Sequence, residues 1–262
     1  MLLTRNRLIR EVAGFFETTN FLLLRLFLSH PKRARVLPSR FFREYVRAGG
    51  RAPWISRPLH ELLPETDGAR VILEYLPTGP IPMPLEELGA IGLISAALRP
   101  RSIFEIGTFR GYTALTFALN TPPDSLIYTL DLPPENRHHP MASARGHDAS
   151  LIEQARPGEF LRGRAEGQKV IQLWGDSTAF NFSPYIGNMD LVFVDGAHDY
   201  EAVARDTTNA LKLVSPRGIV LWHDFGQYGE YGDVTQAVLT IMPRDQVFQI
   251  ENTRIAFFRR EA

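Results

Sequence analysis

The chain holds 262 residues, with 29 Lys and Arg against 29 Asp and Glu and 44% hydrophobic residues, proportions that exclude a disordered chain and a collagen-like fibre and fit one medium domain with an appendage. It has no cysteine, so disulfide staples, thiolate zinc sites and cysteine nucleophiles are excluded and the chemistry must rest on oxygen and nitrogen groups. The zero net charge conceals an uneven distribution, because residues 1–58 carry 12 Lys and Arg and 3 Asp and Glu, a surplus of +9 that the remainder balances.

That basic arm is matched to an acidic surface: the protein's own body, a second subunit or anionic lipid. Nucleic acid is not expected, since the acidic body repels phosphate. Phe15-Phe16 and the run from Phe21 to Leu28 predict an apolar helix in the arm. Arg25 interrupts it and Glu17 to Asn20 divide it, so it falls short of the roughly 20 apolar residues of a membrane span and does not read as a signal peptide. The helix is expected to pack on the body or in a homodimer interface, with peripheral membrane contact as the alternative. A cytoplasmic location follows as an expectation. Pro31, Pro38, Pro53 and Pro58 punctuate the connection, placing an arm at 1–58 and a domain at 59–262.

From Pro84 the pattern becomes regular. Proline in the first turn and apolar residues at Leu85, Leu88, Ile91, Ile94 and Leu98 predict a helix that Pro100 stops. Five apolar runs follow, at Ser102–Ile106, Leu126–Leu130, Lys169–Leu173, Leu191–Val194 and Gly218–Trp222, separated by segments able to hold helices. Buried strands alternating with helices predict an α/β fold: a Rossmann-like, open, mostly parallel sheet with helices on both faces. Two last strand-like runs, 246–250 and 254–258, have too short a link for a crossover and predict a C-terminal antiparallel hairpin. The helix from Asp199 carries a core stripe of Tyr200, Val203, Thr207, Ala210, Leu211 and Val214, and Glu201, Arg205, Asp206 and Lys212 read as its solvated face. Pro133 to Gly167, with His138, His139 and His147, reads as a mobile surface segment, with a lid or acceptor pocket as the functional alternative.

The first strand runs into a turn, Glu105-Ile106-Gly107-Thr108-Phe109-Arg110-Gly111-Tyr112-Thr113, where glycine permits close approach of a bound molecule and free helix amides attract an anion. A tight strand-to-helix connection explains the same residues. The second strand ends in Asp131, placed to accept both hydroxyls of a ribose, and the third leads to Asp176 and Ser177, suited to an exocyclic adenine amine. Trp174 is either core or an adenine wall, with core preferred.

The region from about 84 to 260 resembles the class I S-adenosylmethionine-dependent methyltransferases. More narrowly, Phe104–Thr113, Tyr128–Asp131, Gly175–Ser177 and Val194–Glu201 resemble the catechol O-methyltransferase-like group of bacterial small-molecule methyltransferases. The resemblance implies that Glu105 and the turn through Gly107, Thr108, Phe109, Gly111 and Tyr112 hold the methionine end, Asp131 the ribose, and Asp176 with Ser177 the adenine. The reversed terminal hairpin belongs to that fold. Phe109 departs from the pattern, standing where many methyltransferases have another glycine.

Methyl transfer to a hydroxyl needs in-line positioning and a way to remove the acceptor's proton. Asp195 and His198 follow the fourth strand, and His223 and Asp224 end the fifth. In one assignment His198 is the base and Asp195 fixes the cofactor amine or the imidazole. In the other, Asp195 and Asp224 hold a divalent metal. Metal-dependent relatives usually carry asparagine after the second aspartate, where this chain has Phe225, so no metal is assigned. Either histidine could instead merely bond loop backbone. The expected activity is methyl transfer from S-adenosylmethionine to a small-molecule hydroxyl. The alternatives are a nucleoside-binding or assembly protein without turnover and an NAD-dependent oxidoreductase, the latter disfavoured by the absent Gly-x-Gly-x-x-Gly.

Overall fold

The computed structural model describes residues 54–74, 83–133, 156–227 and 232–261. The chain divides into two units, 1–51 with 228–230 and 52–227 with 231–262, and every described residue belongs to the second. The arm's predicted helix, with the homodimer or membrane contact assigned to it, lies outside the described residues, as do His138, His139 and His147. Among the described residues no helix is long and apolar enough to cross a membrane.

One eight-stranded sheet organises the second unit. In chain order its strands are β1 (Ile55–Arg57), β2 (Ser102–Ile106), β3 (Leu126–Asp131), β4 (Val170–Trp174), β5 (Met189–Val194), β6 (Val214–Trp222), β7 (Phe248–Ile250) and β8 (Ala256–Arg259). The helices are α1 (Leu59–Leu62), α2 (Leu85–Leu98), α3 (Tyr112–Asn120), α4 (Tyr200–Leu213) and α5 (Gly232–Ile241). The sheet order is β1-β7-β8-β6-β5-β2-β3-β4, parallel except where β8 runs against β6 and β7. The five expected strands and the hairpin are all present. The additional strand, β1, pairs Ile55 with Phe248 along the outer edge. Three exposed residues carry no periodic signal, so a strand made entirely by its neighbour is invisible locally.

Alternation places side chains of each strand on opposite faces. Ile103, Ile127, Leu191, Phe193, Ile219 and Leu221 form one buried face with Ile91 and Ile94 of α2 and Phe117 of α3. Phe104 and Tyr128 point the other way. The β4–β5 connection brings there only a short 3₁₀ turn, Ser183–Tyr185. Aromatic rings do the covering: Phe104 stands 5.0 Å from Tyr185 and 5.5 Å from Phe182 between ring centroids.

Two side-chain readings are corrected. Asp206 of α4 is 0% exposed, because helix α4 is buried over more than the stripe its apolar residues define. Trp174 is 43% exposed, because β4 is an edge strand and its last residue lies beyond the packed face.

The reversed strand closes the core through Phe257, 3% exposed and in register with Leu221 and Phe248. Phe257→Ala should cost about 3–5 kcal/mol through lost burial and a residual cavity. Urea unfolding should show a lower midpoint with an unchanged slope.

Candidate active site at the carboxyl edge of the sheet

Strands β2 and β5 are parallel neighbours, so the turns that leave their carboxyl ends meet. Gly107 adopts φ +98, and a Cβ built there would lie 1.9 Å from the backbone oxygen of Asp195. Only glycine fits. Its amide donates to Leu130 O at 2.8 Å, tying the turn to β3 as well. Gly111, at φ +86, starts α3, leaving the amides of the turn at the positive end of that helix. Phe109 has φ +46, a left-handed conformation that glycine would adopt at less cost, which explains why glycine is usual at this position. Its amide donates to Asp131 Oδ2 at 2.8 Å, and Leu132 N donates to Oδ1 at 2.7 Å. Asp131 thus braces the turn from the end of β3.

Glu105 lies beneath this turn and is 0% exposed. It accepts from the Thr129 hydroxyl, which is 2.7 Å from Thr108 Oγ1, which in turn accepts from Gln172 Nε2 at 3.0 Å. Register across β2, β3 and β4 puts Glu105, Thr129 and Gln172 in one row. Burial, reinforced by the Asp195 and Asp131 charges and only partly offset by Thr129, raises the Glu105 pKa well above the usual carboxylate range. Glu105 therefore supports the turn from below rather than from an exposed wall. Asp176, past β4, accepts from Thr178 N at 2.9 Å and from its hydroxyl at 2.8 Å.

Residues 156–161 cover the turn from outside. Gly158 N donates to Phe109 O at 3.2 Å and Phe160 N to Arg110 O at 3.0 Å. Tyr112 and Phe160 stack with centroids 4.0 Å apart, while Arg110 pairs with Glu159 at 3.2 Å.

On the other side of Gly107, β5 and β6 deliver Asp195, His198, His223 and Asp224 to one cluster. His198 Nε2 is 3.0 Å from Asp224 Oδ2. His223 Nδ1 lies 3.1 Å from Asp195 Oδ1 and 3.2 Å from Asp224 Oδ2, between the two without a well-aligned hydrogen bond to either. The carboxylate holding the His198 ring is thus Asp224, while Asp195 faces His223. Sequence reasoning missed two further members. Glu87, in the first turn of α2, accepts from His223 Nε2 at 2.8 Å and from Arg254 through Nε at 3.0 Å and the backbone amide at 2.8 Å. Arg254, in the β7–β8 turn, also donates to Asp224 Oδ1 at 2.7 Å. A signal for Glu87 existed: it lies four residues before Ile91 and seven before Ile94, on the stripe that faces the core.

Burial alone would lower the His223 pKa, but Asp195 and Asp224 outweigh it and hold it well above the ordinary histidine value. Burial alone would raise Glu87, yet His223 and Arg254 bring it down to about 2. Against the same burial, His198 and His223 keep Asp224 well below the usual carboxylate range. At neutral pH the centre therefore holds ionised Glu87 and Asp224 against the cations of His223 and Arg254.

Asp195, His198 and Asp224 offer ligand atoms all within 4.8 Å of one another, a spacing open to a metal ion. The surrounding donors argue against one. Asp224 Oδ1 accepts from Arg254 and from Gln227 at 2.8 Å, and Oδ2 is engaged by His198. A divalent ion would have to displace His198 from Oδ2, and the adjoining Phe225 has no side-chain oxygen to offer. The donor set does not fit a divalent metal.

Residues 104–225 match the model of a family described as a methyltransferase domain. No curated protein matches the chain in sequence. Among solved structures it is similar to the O-methyltransferase TomG from Streptomyces achromogenes, involved in tomaymycin synthesis and crystallised with SAM, at 18% identity and TM-score 0.45 over 78% of this chain and 86% of that one. It is also similar to a putative O-methyltransferase from Klebsiella pneumoniae, at 15% identity and TM-score 0.47 over 89% and 100% of the two chains. An O-methyltransferase from Bacillus cereus in complex with SAH gives 17%, 0.44, 77% and 90% in the same order.

Asp206 stands behind the β4 and β5 loops, its Oδ2 3.2 Å from where a Cβ on Gly196 would be. Burial raises its pKa to about 7; the facing Ser177 hydroxyl opposes this, and Asp176 and Asp199 add to it. Among the described residues neither Asp206 oxygen has a well-formed hydrogen bond. Between the ordinary aspartate value near 4 and about 7, the folded chain keeps a proton that the unfolded chain has released, so stability falls as pH rises through that window. Asp206→Asn should remove a penalty on the order of a few kcal/mol at pH 8 and almost none at pH 4. Thermal melts of both proteins at the two pH values should show the variant melting higher only at pH 8.

Proposed function

We propose that this domain transfers a methyl group from S-adenosylmethionine to a hydroxyl oxygen of a small molecule. The observation that carries this reading is the meeting of Gly107 with the Asp195 backbone, which joins a nucleoside-binding edge to an acid–base cluster. The cofactor would supply a methyl group on a sulfonium, an electrophile that needs a nucleophile in line with the breaking bond. The turn amides and the start of α3, over Thr108 to Tyr112, would take the methionine carboxylate. Asp131 would accept the ribose hydroxyls from the carboxyl end of β3. Asp176 and Ser177 would face the adenine, and Asp195 the methionine amine. Glu105 would act indirectly, through Thr129 and Thr108.

His198 is the base. The ionised Asp224 accepts from Nε2, orients the ring, and stabilises the imidazolium formed when His198 takes the acceptor's proton. His223 is unsuited to that role because it is buried and already cationic.

Calorimetric titration with S-adenosylmethionine and with NADH tests the cofactor, and labelled methyl donor with a panel of phenols and sugars tests turnover. Asp131→Ala should weaken S-adenosylmethionine binding by about 10-fold or more, the loss of one or two hydrogen bonds to a charged group. His198→Ala should lower kcat by about 100-fold or more with cofactor affinity nearly kept. Turnover should persist in EDTA. NADH binding without S-adenosylmethionine binding would sink the reading, and cofactor binding with no turnover on any acceptor would favour a binding protein.

A further inference from the structure

Glu87 and Arg254 are 167 residues apart in sequence and belong to opposite ends of the domain's chain, yet they close one side of the acid–base cluster. Besides the two bonds to Glu87 Oε1, Arg254 donates through its second terminal nitrogen to Glu87 Oε2 at 3.1 Å. Burying a carboxylate with a guanidinium is expensive, and an apolar pair of similar volume commonly holds a fold as well. An ionic pair retained beneath a candidate active site therefore needs a reason beyond stability. Its outward bonds supply one. Glu87 Oε2 takes His223 Nε2 at 2.8 Å, and Arg254 takes Asp224 Oδ1 at 2.7 Å.

Asp224 needs such a grip. Its φ of +54 lies in the left-handed region, which costs energy for a residue with a side chain, though less for aspartate than for most. Arg254 holds Asp224 by its side chain on Oδ1 and the next residue by its carbonyl, which accepts from Phe225 N at 2.8 Å. With Asp224 pinned, Oδ2 is presented to His198 at 3.0 Å. The line of bonds thus runs from α2 through the β7–β8 turn to the ring of the base.

We infer that Glu87 and Arg254 are positioning residues of the methyl-transfer site, fixing Asp224 and His223 so that Asp224 orients the His198 ring. The inference rests on the reading of His198 as the base. Neither residue is assigned a contact with cofactor or acceptor, so cofactor affinity should be insensitive to both.

The test uses the full chain with Arg254→Gln, Arg254→Lys and the paired replacement Glu87→Leu/Arg254→Met. Two readouts are taken. The first is turnover with labelled methyl donor together with calorimetric affinity for S-adenosylmethionine. A misplaced base should lower kcat by about 100-fold while cofactor affinity stays within about twofold. Arg254→Lys, which restores one donor, should recover part of the loss. The second is nitrogen-15 correlation NMR of the histidine rings, which reports the His198 tautomer without any turnover. The wild type should show His198 protonated at Nε2 as one ordered species, and Arg254→Gln should show mixed tautomers.

The paired apolar variant separates positioning from stapling. It should fold, with thermal melting near wild type, and still lose kcat and ring order. A folded variant with wild-type kcat and an unchanged His198 ring would overturn the inference. Absence of wild-type turnover would defeat the methyltransferase reading instead, while the ring spectra would still decide whether Arg254 and Glu87 govern His198.

Discussion

The backbone approach of Gly107 to Asp195 is the constraint on which the site depends. Parallel strands in adjacent positions send their connections out at the same edge, and β2 and β5 are such neighbours. A side chain at 107 would force the two turns apart, because the space a Cβ needs is held by the Asp195 carbonyl. With glycine there, the helix-starting turn and the Asp195–His198 loop form one continuous wall. Hydrogen bonds spread the constraint outward: Gly107 to Leu130, Asp195 N to Ile106 O, and His223 N to Val194 O extend the ladder past the strand ends. The edge residues are thereby held nearly as firmly as the strands themselves.

Charge is arranged in two layers around that wall. On the α3 side the buried acid, Glu105, is surrounded by hydroxyls and an amide and, among the described residues, has no cation beside it, so burial drives it toward neutrality. On the β6 side the buried acids face His223 and Arg254, so they remain ionised despite burial. Two sets of carboxyl groups a few residues from the same strand ends therefore reach opposite protonation states. The difference lies in whether a cation is delivered by another element, and both deliveries are long-range: His223 from β6 and Arg254 from the terminal hairpin.

Two of the five left-handed residues other than glycine among the described residues lie at this edge. Phe109 and Asp224 both adopt left-handed conformations without being glycine. Each is restrained by bonds from another strand, Phe109 by Asp131 and Asp224 by Arg254. Such conformations cost roughly 1–3 kcal/mol each and persist where the surroundings over-determine them. Here they turn the Phe109 amide toward β3 and present the Asp224 carboxylate to His198.

Much was legible in the order of residues. Apolar runs spaced by helix-length segments specified the parallel sheet, the short link after Ile250 specified the reversed end, and acidic residues at successive strand ends marked the carboxyl edge of the sheet. These signals are local, because periodicity, glycine in a turn and the length of a link act within a few residues of one another. Pairings across the chain were not legible. Asp224 rather than Asp195 holds His198, Glu87 and Arg254 join the cluster, Asp206 is buried in a helix face that looked solvated, and Ile55–Arg57 becomes a strand only because β7 lies beside it. Each depends on which elements the sheet order makes neighbours, and burial, charge and strand pairing acquire their values only once those neighbours are in place.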